Sequence, residues 1–269
     1  NTGPVFLTFR NDGSFKDQIS TIMTQEKDIS FKADDDSTHS IWKINDRKLI
    51  NTISTYFQTV ECLYIADGHH RAASASRMQK TRSENNPGHN GDESYNYFLA
   101  TIFPHDEVQI MGYNRIVKDL GGLTEEQFFD ALRSKFEIHK LNDQEEPKER
   151  FTFTMYLDQK WYSLRVKREI ITEDSVRGLD ASILQEHVLS PILNIQDPRT
   201  DNRIDFVGGI RGLDELERRC ELDAKIAFAL YPVSINNLLN VSDDGKVMPP
   251  KSTWFEPKLR SGLLVRLLD

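Results

Sequence analysis

Cysteine is nearly absent from this chain of 269 residues, which contains only Cys62 and Cys220. The two lie far apart and belong to no paired motif. This excludes a disulfide-stapled scaffold and is typical of proteins from a reducing cytoplasm. Cys62 falls in an apolar segment that predicts a strand, and Cys220 lies on the apolar face of a predicted helix. We therefore expect both thiols to be buried.

Long hydrophobic runs, a signal peptide and clusters of basic residues are also lacking. The first two absences argue against a membrane partner and against secretion, so we expect a cytoplasmic protein. The net charge is −8 and the basic residues are scattered, which disfavours nucleic acid as a partner. No HExxH sequence or cysteine pair indicates a metal site. The chain begins without methionine, and we expect it to be a fragment of a longer protein.

The most informative segment that is present runs from the apolar stretch 62–66 into Asp67-Gly68-His69-His70-Arg71 and then into small residues that favour a helix. A strand, a glycine turn and a helix N-terminus together form an anion site, because free backbone N–H groups and the helix dipole point at the ligand. Gly68 permits a tight turn, and Arg71 can bind a phosphate with two parallel bonds. The histidines offer proton transfer, hydrogen bonds or metal ligation.

Two other interpretations of this segment stay open. In the first, Asp67 caps the helix, one histidine is structural and Arg71 lies in solvent. In the second, Asp67, His69 and His70 bind a metal ion, although adjacent histidines on a turn rarely both reach one ion. Phosphate or nucleotide binding accounts for more of the segment, since packing alone does not explain five such residues at the end of an apolar strand.

Strands and helices alternate along the chain, which predicts an α+β fold with mixed sheets. In the first part, the pattern predicts strands at 4–9, 39–44 and 95–103 and helices at 14–27 and 46–59. It also predicts a hairpin partner for the third strand at 108–113 and a polar loop at 83–92. The second part predicts a helix from Thr124 with a capping box, a hairpin at 151–157 and 161–166 with one buried face, helices at 179–193 and 212–222, and strands at 225–233 and 263–268. A composition shift predicts a domain boundary near Val117, between 1–117 and 118–269.

Near the C-terminus, prolines bound a segment in which Lys251, Ser252 and Thr253 precede Trp254 and Phe255. A lysine beside two hydroxyls suits a phosphate, although the glycines of a P-loop are missing. The alternative is an edge strand whose two aromatic residues fill the core. The sequence favours neither reading over the other.

Nearly the whole chain resembles a bacterial and archaeal family that is known as the domain-of-unknown-function family number ten-fifteen. The resemblance rests on several sequence segments. They are Gly3 to Leu7, His39 with Trp42, Tyr64 to Arg71, Tyr113-Asn114-Arg115, Leu184 to His187, Asp197 to Gly209 (beginning with Asp197-Pro198-Arg199-Thr200), and Pro250 to Lys258. The Asp-Gly-His-His-Arg turn is also similar to the phosphate-binding turn of the ParB and sulfiredoxin superfamily and of free-serine kinases.

This resemblance implies a ParB/sulfiredoxin-like domain over 1–117, whose N-terminal part is missing from this chain, and a second α+β domain over 118–269. It implies that Gly68, His69, His70 and Arg71 hold nucleotide phosphates. Lys251 and Ser252 are further candidate phosphate contacts, because a lysine beside hydroxyl groups suits a phosphate. For a phosphotransferase, we expect Asp67 and His70 to be the catalytic residues and ATP or ADP with Mg²⁺ to be the cofactor. The expected partners are a nucleotide and a small-molecule substrate. Whether the chain forms a homo-oligomer is left open. The kinases' catalytic acid has no match here and is expected in the missing part.

Three functional hypotheses follow. The first is a nucleotide-dependent phosphotransferase that acts on a small hydroxylated, serine-like metabolite. The second is a regulatory module that senses a nucleotide without turnover. The third is a metal-dependent hydrolase that uses Asp67, His69, His70 and His39. The resemblance favours the first.

Overall fold

A computed structural model describes residues 3–267, apart from the side chains of residues 17 and 18. The chain divides into two compact units. The first contains the described residues up to Val108 together with those from Leu259 onward, and the second contains Gln109–Lys258. The division therefore falls between Val108 and Gln109, whereas the composition shift suggested a boundary near Val117.

The first unit is built around a three-stranded sheet of order β4-β1-β5. Strand β1 pairs antiparallel with β4 and parallel with β5. A separate hairpin joins β2 and β3. The elements of this unit are β1 (Val5–Phe9), α1 (Ser14–Met23), β2 (Ile29–Lys32), β3 (Thr38–Ile41), α2 (Arg47–Thr59), β4 (Tyr64–Asp67), α3 (His69–Glu84) and β5 (Ala100–Pro104).

The core of the first unit gathers on β1, whose five residues are all buried. Phe9 contacts Phe15 and Phe57 edge to face, with ring centres 5.8 and 5.3 Å apart. Helix α2 is positioned by its N-cap, because the Asp46 carboxylate accepts the backbone N–H of Lys48 at 2.8 Å. The buried central strand β1 pairs with the edge strand β4, which leads into the Asp67–Arg71 segment.

The second unit contains a six-stranded antiparallel sheet of order β11-β7-β12-β9-β10-β8 and a two-stranded ladder of β13 and β6. Its elements are β6 (Gln109–Met111), β7 (Tyr113–Val117), α4 (Glu125–Arg133), β8 (Phe136–Lys140), β9 (Thr152–Leu157), β10 (Lys160–Val166), α5 (Asp180–Leu184), β11 (Ile204–Gly208), α6 (Asp214–Leu222), β12 (Ile226–Leu230), α7 (Ile235–Asp243) and β13 (Trp254–Glu256). A π-helical segment, Gln185–Leu189, continues α5.

The predicted hairpin of the second unit forms, and its turn residues Asp158 and Gln159 both have positive φ, as a tight two-residue turn requires. The prediction of one buried face is wrong. Phe153 and Leu164 face one apolar cluster, while Tyr156 and Trp161 are buried in a second cluster on the opposite face. The sheet therefore has apolar packing on both sides.

Residues 3–267 contain seven α-helices and thirteen strands, which confirms the α+β class. Several predicted elements are wrong. Residues 95–103 form no single strand, because Ser94–Asn96 is a 3₁₀ turn and β5 pairs with β1 instead of with a hairpin partner. Residues 263–267 contain no strand, and Leu268 lies outside the described residues. Cys62 precedes β4 and is exposed, whereas Cys220 is partly buried.

Within residues 3–267, no helix combines the length and the apolar composition that are needed to span a membrane.

Candidate functional site

The segment Asp67–Arg71 forms a tight turn between β4 and the sixteen-residue helix α3. Gly68 is the N-cap of α3 and adopts a left-handed conformation, with φ 96°. A side chain there would be strained, and its Cβ would lie 2.8 Å from Nε of Arg71. Glycine is therefore required twice, for the turn and for the close approach of the guanidinium.

The first turn of α3 contains no acidic residue, so the positive end of the helix dipole has no carboxylate within the helix itself, and Asp67 just before the cap is the nearest one in the segment. Ala72 N–H donates to the Gly68 carbonyl at 2.9 Å and begins the helical ladder. The N–H groups of His69, His70 and Arg71 precede this bond and have no acceptor within the helix. Gly68 followed by helical residues also forms the backbone concavity that binds anions in other proteins.

Arg71 folds back over the turn instead of extending into solvent. Its Nη2 donates to Asp67 Oδ2 at 2.9 Å, and its Nη1 donates to the carbonyl of Pro4. A Cβ on Gly3 would lie 3.2 Å from Nη1, so the N-terminal segment also borders the guanidinium. The interpretation of Arg71 as a solvated side chain is therefore wrong.

Asp67 does not cap the helix. The cap of α3 makes no side-chain hydrogen bond, and the Asp67 carboxylate pairs with Arg71 instead. Both side chains stay accessible, with 54% of Asp67 and 36% of Arg71 exposed. A pair of this exposure contributes little to stability and can be replaced by another anion on the guanidinium.

His69 and His70 are both exposed at the first turn of α3. His39 lies on β3, where Arg260 Nε donates to its Nε2 at 3.3 Å and Phe31 stacks on its ring. Within the described part of the chain, no group of three or more His, Cys, Asp or Glu side chains is placed to hold a metal ion.

Lys251 and Ser252 belong to the second unit. Ser252 is buried, and its hydroxyl donates to the Pro249 carbonyl at 2.8 Å. Lys251 Nζ lies 5.4 Å from the centre of the Tyr113 ring. The strand of the edge-strand reading forms, because β13 pairs with β6, but of its two aromatic residues only Phe255 is buried and Trp254 is half-buried. The proposed role of the two residues in phosphate binding stays a prediction.

Sequence reasoning missed the contribution to the turn of the segment that precedes β1. Pro4 supplies a carbonyl to Arg71, and Gly3 leaves room for the guanidinium. It also missed that Arg115 is buried in β7, where burial lowers its pKa to about 10 and its guanidinium lies over Phe206. No sequence pattern predicts either arrangement, because both depend on which strands become neighbours in the fold.

Comparison with known protein families finds that the family model described as "Protein of unknown function (DUF1015)" matches residues 1–182. Comparison with the curated proteins finds no match.

Comparison with solved structures finds weak likeness to several chains. A free serine kinase in complex with AMP is 14% identical, with 79% of this chain and 81% of that chain covered and a TM-score of 0.41. A mutant free serine kinase in complex with ADP is 17% identical, with 73% and 69% covered and a TM-score of 0.40. A conserved hypothetical protein from Pyrococcus furiosus is 15% identical, with 79% and 84% covered and a TM-score of 0.40.

Proposed function

The chain belongs to the family of proteins of unknown function DUF1015, and for this member we propose a nucleotide-dependent phosphotransferase that acts on a small hydroxylated metabolite. Gly68, His69, His70 and Arg71 bind the nucleotide phosphates in this proposal. The acceptor is taken from the motif resemblance to free-serine kinases, and the ParB/sulfiredoxin-like character of 1–117 is part of the same proposal. The structural likenesses do not support this proposal, since their TM-scores are only 0.40–0.42.

One observation carries the proposal, namely the left-handed glycine turn that brings an arginine guanidinium to the N-terminus of α3, whose first turn contains no acidic residue. Phosphate binding needs N–H donors, positive potential and a cation with fork geometry. The turn presents all three at the surface, because α3 has no buried residue. Packing gives no other reason for two exposed histidines beside this guanidinium.

Arg71 is the residue on which the charge balance of the site depends. In this structure its positive charge is shared between the Asp67 carboxylate and the Pro4 carbonyl. A nucleotide phosphate carries more negative charge than one carboxylate and can accept two parallel bonds from the guanidinium. We expect the phosphate to replace Asp67 on Nη2, which frees the carboxylate for another role.

Asp67 fits the binding of Mg²⁺ in the presence of a nucleotide. Its Oδ1 accepts no hydrogen bond from the described residues, and Mg²⁺ is commonly held by one or two carboxylates together with substrate phosphates. The bound ion would neutralise charge on the phosphates. In this proposal His70, which is exposed at the first turn of α3, donates a hydrogen bond to the transferred group. Lys251, which forms no ion pair with a described residue, is a further candidate contact to phosphate, together with Ser252.

Calorimetric titration of ATP, ADP and CTP, each with Mg²⁺, tests the proposal. The variant Arg71→Ala should bind at least about tenfold more weakly than wild type, because it loses charge-assisted hydrogen bonds. Its melting temperature should stay near that of wild type, since the Asp67–Arg71 pair is exposed. Arg77→Ala is the matched control, because Arg77 is exposed on the same helix and has no partner among the described residues.

Equal nucleotide affinity in wild type and Arg71→Ala would contradict the site assignment. If the nucleotide binds at this turn, incubation with small hydroxylated metabolites separates the phosphotransferase from the sensing module. Consumption of the nucleotide and formation of a phosphorylated product support the enzyme. Binding without consumption of the nucleotide would favour the sensing module.

A further inference from the structure

Arg115 lies on one face of the six-stranded sheet and is only 4% exposed. The strand register places it opposite Phe206 on β11 and Phe228 on β12. The guanidinium carbon lies 5.4 Å from the centre of the Phe206 ring, and Nη1 donates to the carbonyl of Tyr113. Arg115 forms no ion pair with a carboxylate of the described residues. It is therefore a buried positive charge whose counter-ion the described part of the chain does not supply.

Such a charge is unusual, because burial of a charged group costs free energy unless the group is paired and hydrogen-bonded. Burial lowers the pKa of Arg115 to about 10, and only the Tyr113 side chain acts in the opposite direction. The guanidinium still stays charged at neutral pH. Its Nε and Nη2 donate to no described residue, and solvent reaches both nitrogens. These two nitrogens form one edge of the planar fork, and that edge is open to an anion from solution.

Three half-buried aromatic rings border this guanidinium on the same face of the sheet. Tyr113 lies two residues before Arg115 on β7 and opposite Gly208. The ring of Trp254 covers Gly208, since a Cβ there would overlap with its six-membered ring. The centre of the Tyr113 ring lies 5.9 Å from that of Phe206 and 5.5 Å from that of Trp254. The three rings therefore form one partly exposed apolar surface beside the buried cation.

The charged side chains on this surface do not balance the guanidinium. Lys251 Nζ lies 5.4 Å from the centre of the Tyr113 ring, and Lys258 Nζ lies 4.4 Å from that of Trp254. Both lysines have the same sign of charge as the guanidinium. The carboxylate of Glu256 is already engaged, because it accepts the indole N–H of Trp254 at 2.7 Å and the backbone N–H of Lys258 at 3.0 Å. The surface as a whole is therefore aromatic and positively charged.

We propose that Arg115 binds the carboxylate of a small molecule whose flat apolar body lies against the three rings. Nε and Nη2 donate two parallel bonds to the carboxylate, which carries the single negative charge that one guanidinium lacks. A monoanion fits better than a phosphate dianion, because the second charge of the dianion would leave water without a second buried cation. The apolar body gains from contact with partly exposed aromatic rings. All these residues belong to the second unit and none to the segment Asp67–Arg71, so the site does not depend on the proposed function.

Benzoate is the probe that carries both features. Its binding to the full chain can be measured by calorimetry and by the shift of the Arg115 Nε–H signal in NMR spectra. Benzamide has the same ring without the charge, and phenyl phosphate has the same ring with a dianion. We expect benzoate to shift this signal and to bind at least roughly tenfold more tightly than either matched ligand. No benzoate binding at millimolar concentration, or benzamide or phenyl phosphate binding as tightly as benzoate, would overturn the proposal.

Variants then connect the binding to the guanidinium. Arg115→Gln should weaken benzoate binding at least roughly tenfold and abolish the rise in melting temperature that benzoate gives wild type. Arg115→Lys, which keeps the charge without the fork, should also bind more weakly than wild type. Arg168→Gln, which removes an exposed arginine of the same unit, should bind like wild type. Unchanged affinity in Arg115→Gln would assign the binding to another surface and refute the site. If neither Arg115 variant folds, the Nε–H signal of wild type decides, because a shift that benzamide produces equally would refute the proposal.

Discussion

Two helices of the first unit begin at a glycine in the left-handed conformation. Gly13 precedes α1 with φ 88°, and Gly68 precedes α3 with φ 96°. Their surroundings differ. A Cβ on Gly13 would meet no atom within 4 Å, whereas a Cβ on Gly68 would contact Nε, Cζ and Nη2 of Arg71. The two glycines therefore share a backbone requirement, and only Gly68 has a role toward a charged side chain.

The variants Gly13→Ala and Gly68→Ala separate these two requirements. Each should lose about 1 kcal/mol of unfolding free energy in urea titrations, because alanine is strained at positive φ while it also restricts the unfolded chain. Gly68→Ala should in addition displace Arg71 and weaken nucleotide binding by about tenfold or more. Nucleotide affinity that falls equally in both variants would refute the specific contact between Gly68 and Arg71.

At the level of elements, the loop after α3 is held by one carboxylate. Glu93 accepts the backbone N–H groups of Asn90 and Gly91 at 2.9 and 3.0 Å, and the side-chain amide of Asn96 at 2.9 Å. His89 Nδ1 lies 3.0 Å from Oε2 of the same carboxylate. Although burial raises the pKa of Glu93, these N–H donors lower it overall, to about 2. The loop thus depends on an ionised Glu93.

Replacement of Glu93 by glutamine should loosen this loop, because an amide group then faces N–H donors. We expect the backbone amides of Asn90 and Gly91 to exchange with solvent deuterium roughly tenfold faster at neutral pH. Asp92→Asn is the control, since the Asp92 side chain has no partner among the described residues. In wild type, the protection should be complete above about pH 4.5 and decline as the pH falls toward 2. Equal exchange in both variants would contradict this role.

Elements with a strong local signal were predicted correctly. Asp46 caps α2, and Thr124 and Gln127 form the capping box of α4. The hairpin of β9 and β10 also follows from its alternation and its short turn. In each case, residues a few positions apart determine the structure, so the sequence pattern contains the required information.

Elements that depend on distant pairing were predicted less well. Strand β5 is shorter than its apolar pattern because β1, which lies far away in sequence, fixes its register. Phe136 continues the apolar pattern of α4, yet it belongs to β8, which pairs with β10. The same limit applies to the candidate site. The glycine turn followed from the sequence, but the contacts of Arg71 with Asp67 and Pro4 required the sheet.

For the whole molecule, the response of stability to pH contains one contribution of unusual sign. Burial raises the pKa of Asp180 to about 6, although the Phe151 N–H donates to Oδ1 at 2.9 Å. The unfolded chain releases this proton near pH 4 and the folded chain near pH 6. Folding therefore takes up a proton between these values, and the contribution of Asp180 to stability decreases as the pH rises through this window.

The variant Asp180→Asn should abolish this contribution while its side-chain oxygen still accepts the Phe151 N–H. Relative to wild type, its unfolding free energy should increase by roughly 2 kcal/mol between pH 4.5 and 7. Urea titrations followed by tryptophan fluorescence measure this difference. Asp143→Asn, which changes an exposed aspartate of the same unit, is the control. A difference between Asp180→Asn and wild type that does not vary with pH would contradict the raised pKa.

The segment from Leu259 onward belongs to the first unit, although the whole second unit precedes it in the chain. Arg260 bonds to His39 and Asp35, and Arg266 donates to the carbonyl of Ser94. On the ribosome, residues 109–258 must therefore be translated before these bonds can form, which takes roughly 8–30 seconds at about 5–20 residues per second. The first unit therefore gains its last contacts only after the whole second unit has been translated, although its three-stranded sheet uses only residues before Gln109.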